Sequence, residues 1–211
     1  NIIKNNFVTG NDMGIYLYIA GANNYIINNT AFNNTRDSTG LSFGIGSYYN
    51  SLTNYIWANN ISNNSRGIEL DHTNNASILN NTILKSVKVG ILTFSSNNNN
   101  FTNNTLIGGK GTGIEIHESS NNIFTSNQIS SNSFIGFWLY GLSNNNLINS
   151  SIINSNQYNL VFYPNSSNNR VIDSQIFSPT STDLDVEVGS INNTIINSSF
   201  MPAGLHKSIT N

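Results

Sequence analysis

The groups able to act as acids, bases or metal ligands are few: ten carboxylates, three histidines and no cysteine in 211 residues. Four of them fall into one pattern. Glu69 and Asp71 follow Gly67-Ile68, and Glu115 and His117 follow Gly113-Ile114. Alternate residues of a strand face the same way, so each pair projects from one face. Carboxylates so placed can divide the acid and base duties of glycoside hydrolysis, which makes Glu69, Asp71, Glu115 and His117 the catalytic candidates. Equivalent places elsewhere hold rings: Tyr16 and Tyr18, Phe94 after Leu92, Trp138 and Tyr140, and Tyr163 after Val161. Sugar rings have apolar C–H faces and hydroxyls that need partners, so aromatics beside acids suit them. Phe94, Glu115, His117, Trp138, Tyr140 and Tyr163 are therefore the ligand-binding candidates. Asp185 and Glu187 extend the same strip.

Those positions are comparable only because the chain repeats. A polar residue two places before an apolar one recurs at Asn5, Asn29, Asn59, Asn81, Asn104, Asn127, Ser150, Ser174 and Ser198, mostly 22 to 24 residues apart. Three places earlier stands Ile2, Ile26, Ile56, Ile78, Phe101, Phe124, Leu147, Val171 or Ile195. Five places before the anchor an asparagine recurs as Asn24, Asn54, Asn99, Asn122, Asn145, Asn169 and Asn193, with Ala76 the exception. Nine places after it comes the Gly-Ile-x-Leu signal, at Gly14, Gly90, Gly113 and Gly136; Gly67 falls one early, and Gly40-Leu41-Ser42-Phe43 two late. Fixed-period self-similarity marks a solenoid.

The apolar islands are short and alternate with polar residues, as half-buried strands do, and none shows a helical period. Three strands and three turns in about 23 residues make one coil of a parallel β-helix. Crossovers of parallel strands are right-handed, so the expected fold is all-β, a right-handed parallel β-helix of eight or nine coils over residues 1–211. At ~4.8 Å per coil the rod is about 40 Å long. The 33–54 region is expected to be an enlarged coil. It carries about seven extra residues, assigned to Arg36-Asp37-Ser38 and Gly44 through Tyr49, with Tyr48 and Tyr49 as candidate contacts. Near the other end, Asp183-Leu184-Asp185-Val186-Glu187 replaces the glycine with acid, which reads as protection against edge pairing.

Stacking also accounts for the composition. Asparagine supplies about 44 residues and charged residues only 9%, against about 25% in ordinary domains. Corners need left-handed backbone, which Asn and Gly tolerate, and an amide can donate to the one stacked above it. Stacked charges would repel. A net charge of −2 and eight scattered basic residues exclude a nucleic-acid stripe. No apolar run approaches the ~18 residues of a membrane span. The start at Asn1 lacks an initiator Met and a signal pattern, so an excised segment with neighbouring domains is expected.

Units such as Asn121 to Ile129 followed by Gly136 to Leu139 resemble the NosD-like right-handed β-helix repeat. This group is also known as the carbohydrate-binding and sugar-hydrolysis repeat, and it occurs in microbial surface proteins. The resemblance covers essentially the whole chain. It implies an extracellular, cell-surface or periplasmic location and either sugar binding or copper handling. The expected role is a surface scaffold, adhesive or carbohydrate-binding face, with polysaccharide or cell-surface glycan as partner and no cofactor.

Two alternatives stand beside it. Glu69 and Glu115, two coils and roughly 9.6 Å apart, approach the ~6.5–9.5 Å of an inverting glycosidase. Leu92 and Phe94 lie between them, however, and the Asp-Asp and Gly-His-Gly signatures of polygalacturonases are absent. No acid cluster with a matching arginine suggests a calcium-dependent lyase. For copper, His72, His117, His206, Met13 and Met201 are the only imidazoles and thioethers, too scattered for a selective site. No metal ligand is assigned.

Overall fold

The structure is a computed structural model that describes residues 1–36, 41–154, 156–178 and 182–200, with the backbone of Lys207–Ile209. Alternation sets the local structure. In Ser77–Leu79 and Thr82–Leu84 the central isoleucine is buried and its neighbours are not. Such three-residue strands cannot stand alone, so each pairs in parallel with the next coil: Ile56 with Ile78, then Ile78 with Phe101. Three sheets of nine strands result, each taking every third strand of the chain. The fold is a right-handed parallel β-solenoid, with coils about 23 residues apart and no helix among the described residues.

The core is one column of stacked apolar side chains from all three sheets, among them Ile26, Ile61, Ile68, Ile114 and Phe162, each 0% exposed. Phe101 and Phe124 stack with centroids 4.5 Å apart, and Phe137 meets Phe124 edge-on at 4.9 Å. Each such side chain contributes roughly 1.5–3 kcal/mol by leaving water.

The corners divide their work between adjacent residues. In Asn80-Asn81 and Asn103-Asn104 the first asparagine takes a left-handed backbone, φ 54° and 55°, and is exposed. The second is buried. Asn104 accepts the backbone N–H and side-chain Nδ2 of Asn81, both at 3.0 Å. It donates to Asn127 Oδ1 at 3.1 Å and to the Ile78 carbonyl at 2.8 Å. The sequence thus contains asparagine pairs because one residue bends the chain and the next satisfies the buried corner.

This separation corrects three assignments by one residue. Asn6, Asn146 and Ser151 occupy the ladders, in line with Asn29, Asn122 and Asn127, whereas Asn5, Asn145 and Ser150 are the left-handed corner residues. Likewise Ile3 and Ile148, not Ile2 and Leu147, pair with Ile26 and Phe124. At each place two similar residues stand side by side, so residue type alone does not fix the register. A third ladder lies five places after the anchors. It runs through Asn34 and Asn64, and later through Asn132 and Asn156.

The second coil also differs from expectation. Gly40 lies outside the described residues, as do Asp37 and Ser38. The strand in register is Phe43–Tyr48, with Ile45 paired to Ile15 and Ile68. Gly44 through Tyr48 is therefore regular strand, and the extra residues fall between Asn34 and Ser42, whose carbonyls accept from Ser65 and Arg66. Steric approach identifies the correct glycine. A Cβ on Gly44 would lie 2.9 Å from the Gly67 carbonyl oxygen, and one on Gly67 would lie 2.4 Å from that of Gly90. Asp183 is likewise no edge guard: its strand, Thr182–Val186, is paired on both sides, and the buried Asp183 accepts from Asn159 Nδ2 at 2.9 Å.

Candidate functional site

The third sheet runs from Met13–Tyr18 through Phe43–Tyr48, Arg66–Asp71, Val89–Phe94, Thr112–His117, Ile135–Tyr140 and Tyr158–Phe162 to Thr182–Val186, ending at Lys207–Ile209. Its outer face carries files of aligned side chains. One reads Tyr16, Gly46, Glu69, Leu92, Glu115, Trp138, Val161, Asp185. Its neighbour reads Tyr18, Tyr48, Asp71, Phe94, His117, Tyr140. Tyr163 and Glu187 continue it, their amides donating to Leu139 and Phe162 carbonyls. Ser42, which a strand starting at Gly40 would turn to this face, is fully buried, and Gly46 and Tyr48 take its place; Tyr48 is itself only 3% exposed.

In-register stacking brings the rings together. Tyr49 and His72 lie 4.9 Å apart, His72 and Phe94 5.8 Å, Phe94 and His117 4.9 Å, His117 and Tyr140 4.4 Å, and Tyr140 and Tyr163 5.2 Å. Trp138 joins from the adjacent file, 5.2 Å from Tyr140 and 5.7 Å from Tyr163. The result is a continuous aromatic band along the rod axis. Cross-strand ring pairs stabilise a sheet, but these rings remain partly open to solvent, and Tyr49 is 51% exposed.

The carboxylates are set differently from the rings. Glu69 is 4% exposed and accepts from Arg66 Nη1 at 3.1 Å. Burial pushes its pKa up, with Arg66 opposing. Burial likewise raises Glu115, again opposed by Arg66 and reinforced by the charge of Glu69. Burial holds the Tyr48 phenol protonated, and Glu69 adds to that effect. Asp71 binds His72 Nδ1. His117 is shifted down by burial, against the pull of Glu118 3.6 Å away. Leu92 stands in register between Glu69 and Glu115, so an apolar side chain separates the two acids.

At the far end of the face the files enclose a groove of about 210 Å³, lined by Phe134, Ile135, Trp138, Tyr158, Val161, Tyr163, Asp185 and Glu187. Sequence reasoning missed Phe134, Ile135 and Tyr158. Their signal lies on the other side of the glycine: Ile135 precedes Gly136, and Tyr158 precedes Asn159, the next residue in that file.

No three His, Cys, Asp or Glu residues converge among the described residues. Met13 aligns with Phe43 and Arg66 at the start of the strands, whereas His72 follows their end two coils away. His206 and Met201 lie outside the described residues. The donors among the described residues do not fit copper, which selects converging His, Met or Cys. Among the described residues no helix is long and apolar enough to cross a membrane.

Residues 59–200 match the family model described as a right handed beta helix region, and residues 1–111 match that of the periplasmic copper-binding protein NosD. No curated protein matches the chain in sequence. Among solved structures it is similar to the Dettilon tailspike protein, with TM-score 0.72 and 13% identity over 99% of this chain and 61% of that one. It is similar to a double mutant of the periplasmic alginate epimerase AlgG, with TM-score 0.71 and 15% identity over 93% and 57%. The Streptococcus pneumoniae surface protein and adhesin PfbA gives TM-score 0.66 and 12% identity over 98% and 66%. Identities this low establish a common fold and nothing finer. The chain spans about three-fifths of the length of these proteins.

Proposed function

The chain belongs to the right handed beta helix family and, through residues 1–111, to the NosD family, and we propose that it is a polysaccharide-binding β-helix of the periplasm or cell surface. One observation carries this reading: the aromatic band from Tyr49 to Tyr163, in which neighbouring centroids are 4.4 to 5.8 Å apart. A band along the rod axis offers an extended chain repeated apolar contacts, and Glu115 and His117 supply partners for its hydroxyls. Phe94, Glu115, His117, Trp138, Tyr140 and Tyr163 form the binding set. The fold neighbours agree in kind, since their names include an alginate epimerase and an adhesin. NosD is described as periplasmic, which supports export from the cytoplasm.

Calorimetric titration against a panel of oligosaccharides tests this. Wild type binds at least one, and Tyr140→Ala or Trp138→Ala weakens it about tenfold, worth ~1.4 kcal/mol, with the melting temperature little changed. A blank panel, or binding untouched by both variants, rejects the reading.

A second reading has one observation in its favour: Glu69 and Glu115 are both raised by burial, as a general acid requires. A catalytic domain of an α-1,3-glucanase shares the fold, with TM-score 0.60 and 14% identity. Under this reading Glu115→Gln abolishes polysaccharide cleavage by the wild-type protein. Absence of reducing ends after incubation of wild type with the panel removes it.

A further inference from the structure

The groove beyond Trp138 combines two kinds of wall. Phe134, Trp138, Tyr158 and Tyr163 supply the aromatic side, and Asp185 and Glu187 close it with carboxylates. No Lys, Arg or His lines it among the described residues. Two atoms of its lining residues, the indole Nε1 of Trp138 and Oδ1 of Asp185, are covered by the protein and make no hydrogen bond. Glu187 is pushed up, first by desolvation and then by the charge of Asp185.

These features select charge as well as shape. A uronate polymer would bring anions against Asp185 and Glu187, and like charges at close range repel. A neutral sugar suits the rings but leaves the acid pair uncompensated. A protonated amine on a sugar meets every requirement: it pairs with the carboxylates and gains cation–π attraction from the rings. Resting on the polysaccharide-binding reading above, we propose that this groove recognises an amino sugar with a free amine, as in a glucosamine polymer.

The test is calorimetric titration of the whole chain near pH 6 with four hexamers: glucosamine, N-acetylglucosamine, galacturonate and lysine. The glucosamine hexamer should bind at least tenfold tighter than its acetylated counterpart, weaken with added salt, and exceed galacturonate. Asp185→Asn with Glu187→Gln should abolish that preference while leaving affinity for the acetylated hexamer within twofold. Trp138→Ala removes the central ring of the aromatic wall, and should weaken both sugars. Equal or tighter binding of the acetylated or uronate hexamer overturns the amine assignment while leaving polysaccharide binding intact. Oligolysine binding as tightly as glucosamine shows a plain cation patch and also overturns it. If no sugar hexamer binds, the amine assignment falls, and polysaccharide binding is decided by the wider oligosaccharide panel.

Discussion

Asn104 shows how much one side chain can hold. It accepts two hydrogen bonds from Asn81 and donates two more, to Asn127 and to the Ile78 carbonyl. Asn104→Ala would leave buried donors and an acceptor without partners, so chemical denaturation should show a loss of about 2–4 kcal/mol. The exposed Asn103, one residue earlier, needs only its left-handed backbone, and Asn103→Gly should cost under about 1 kcal/mol. Equal losses at the two sites would refute the division of labour. Glu115 makes a different residue-scale statement. Its folded pKa lies above the ordinary 4.5, so its contribution to stability is fully present below that value and lost as pH rises through the raised one. Glu115→Gln should therefore raise the melting temperature at pH 7 and flatten its decline above pH 4.5. An unchanged profile would contradict burial of the charge. Side-chain type made the ladders legible in the sequence. It did not place them within doublets such as Asn5-Asn6 or Ser150-Ser151, because both members can serve either role.

At the scale of the strand, the glycine file is a matter of clearance rather than of turning. Gly90 is absent from the left-handed residues, yet a Cβ there would sit 2.5 Å from the Gly113 oxygen and 2.7 Å from Leu106 Cδ2. Gly90→Ala should thus destabilise by roughly 1–3 kcal/mol, as overpacking does, whereas Ala at Gly10, which meets nothing within 4 Å, is strained only by its left-handed backbone, φ 72°, and should cost about 1 kcal/mol. Denaturation midpoints of the two variants check this. The sequence displays the file through Gly-Ile-x-Leu but misplaces it in the second coil, where Gly40, Gly44 and Gly46 all offer a start. Only the neighbouring coil decides among them, through Ile45 pairing with Ile15 and Ile68. The candidate face was legible for similar reasons. Alternation after the glycine reveals Glu115, His117, Trp138 and Tyr140, while Ile135 and Tyr158 lie before it; Ile135, Gly136 and Phe137 are buried in succession, so simple alternation fails there.

The whole molecule behaves as a stack whose composition is set by neighbours above and below. Asparagine ladders and the isoleucine column specify the rod, and for that reason they are silent about what the rod touches. Function must reside in the positions that stacking leaves free, and on the third sheet those positions hold rings and acids instead of Asn and Ser. The chain's two tryptophans allow this claim to be examined directly. Trp57 lies on the first sheet and is 46% exposed, and Trp138 lies on the proposed binding face. With Trp57→Phe, all indole fluorescence comes from Trp138. Titration of that variant with the glucosamine and N-acetylglucosamine hexamers should shift and saturate the emission at the concentrations where calorimetry detects binding. Binding measured by calorimetry with no change in Trp138 emission would contradict the account and place the ligand on another face.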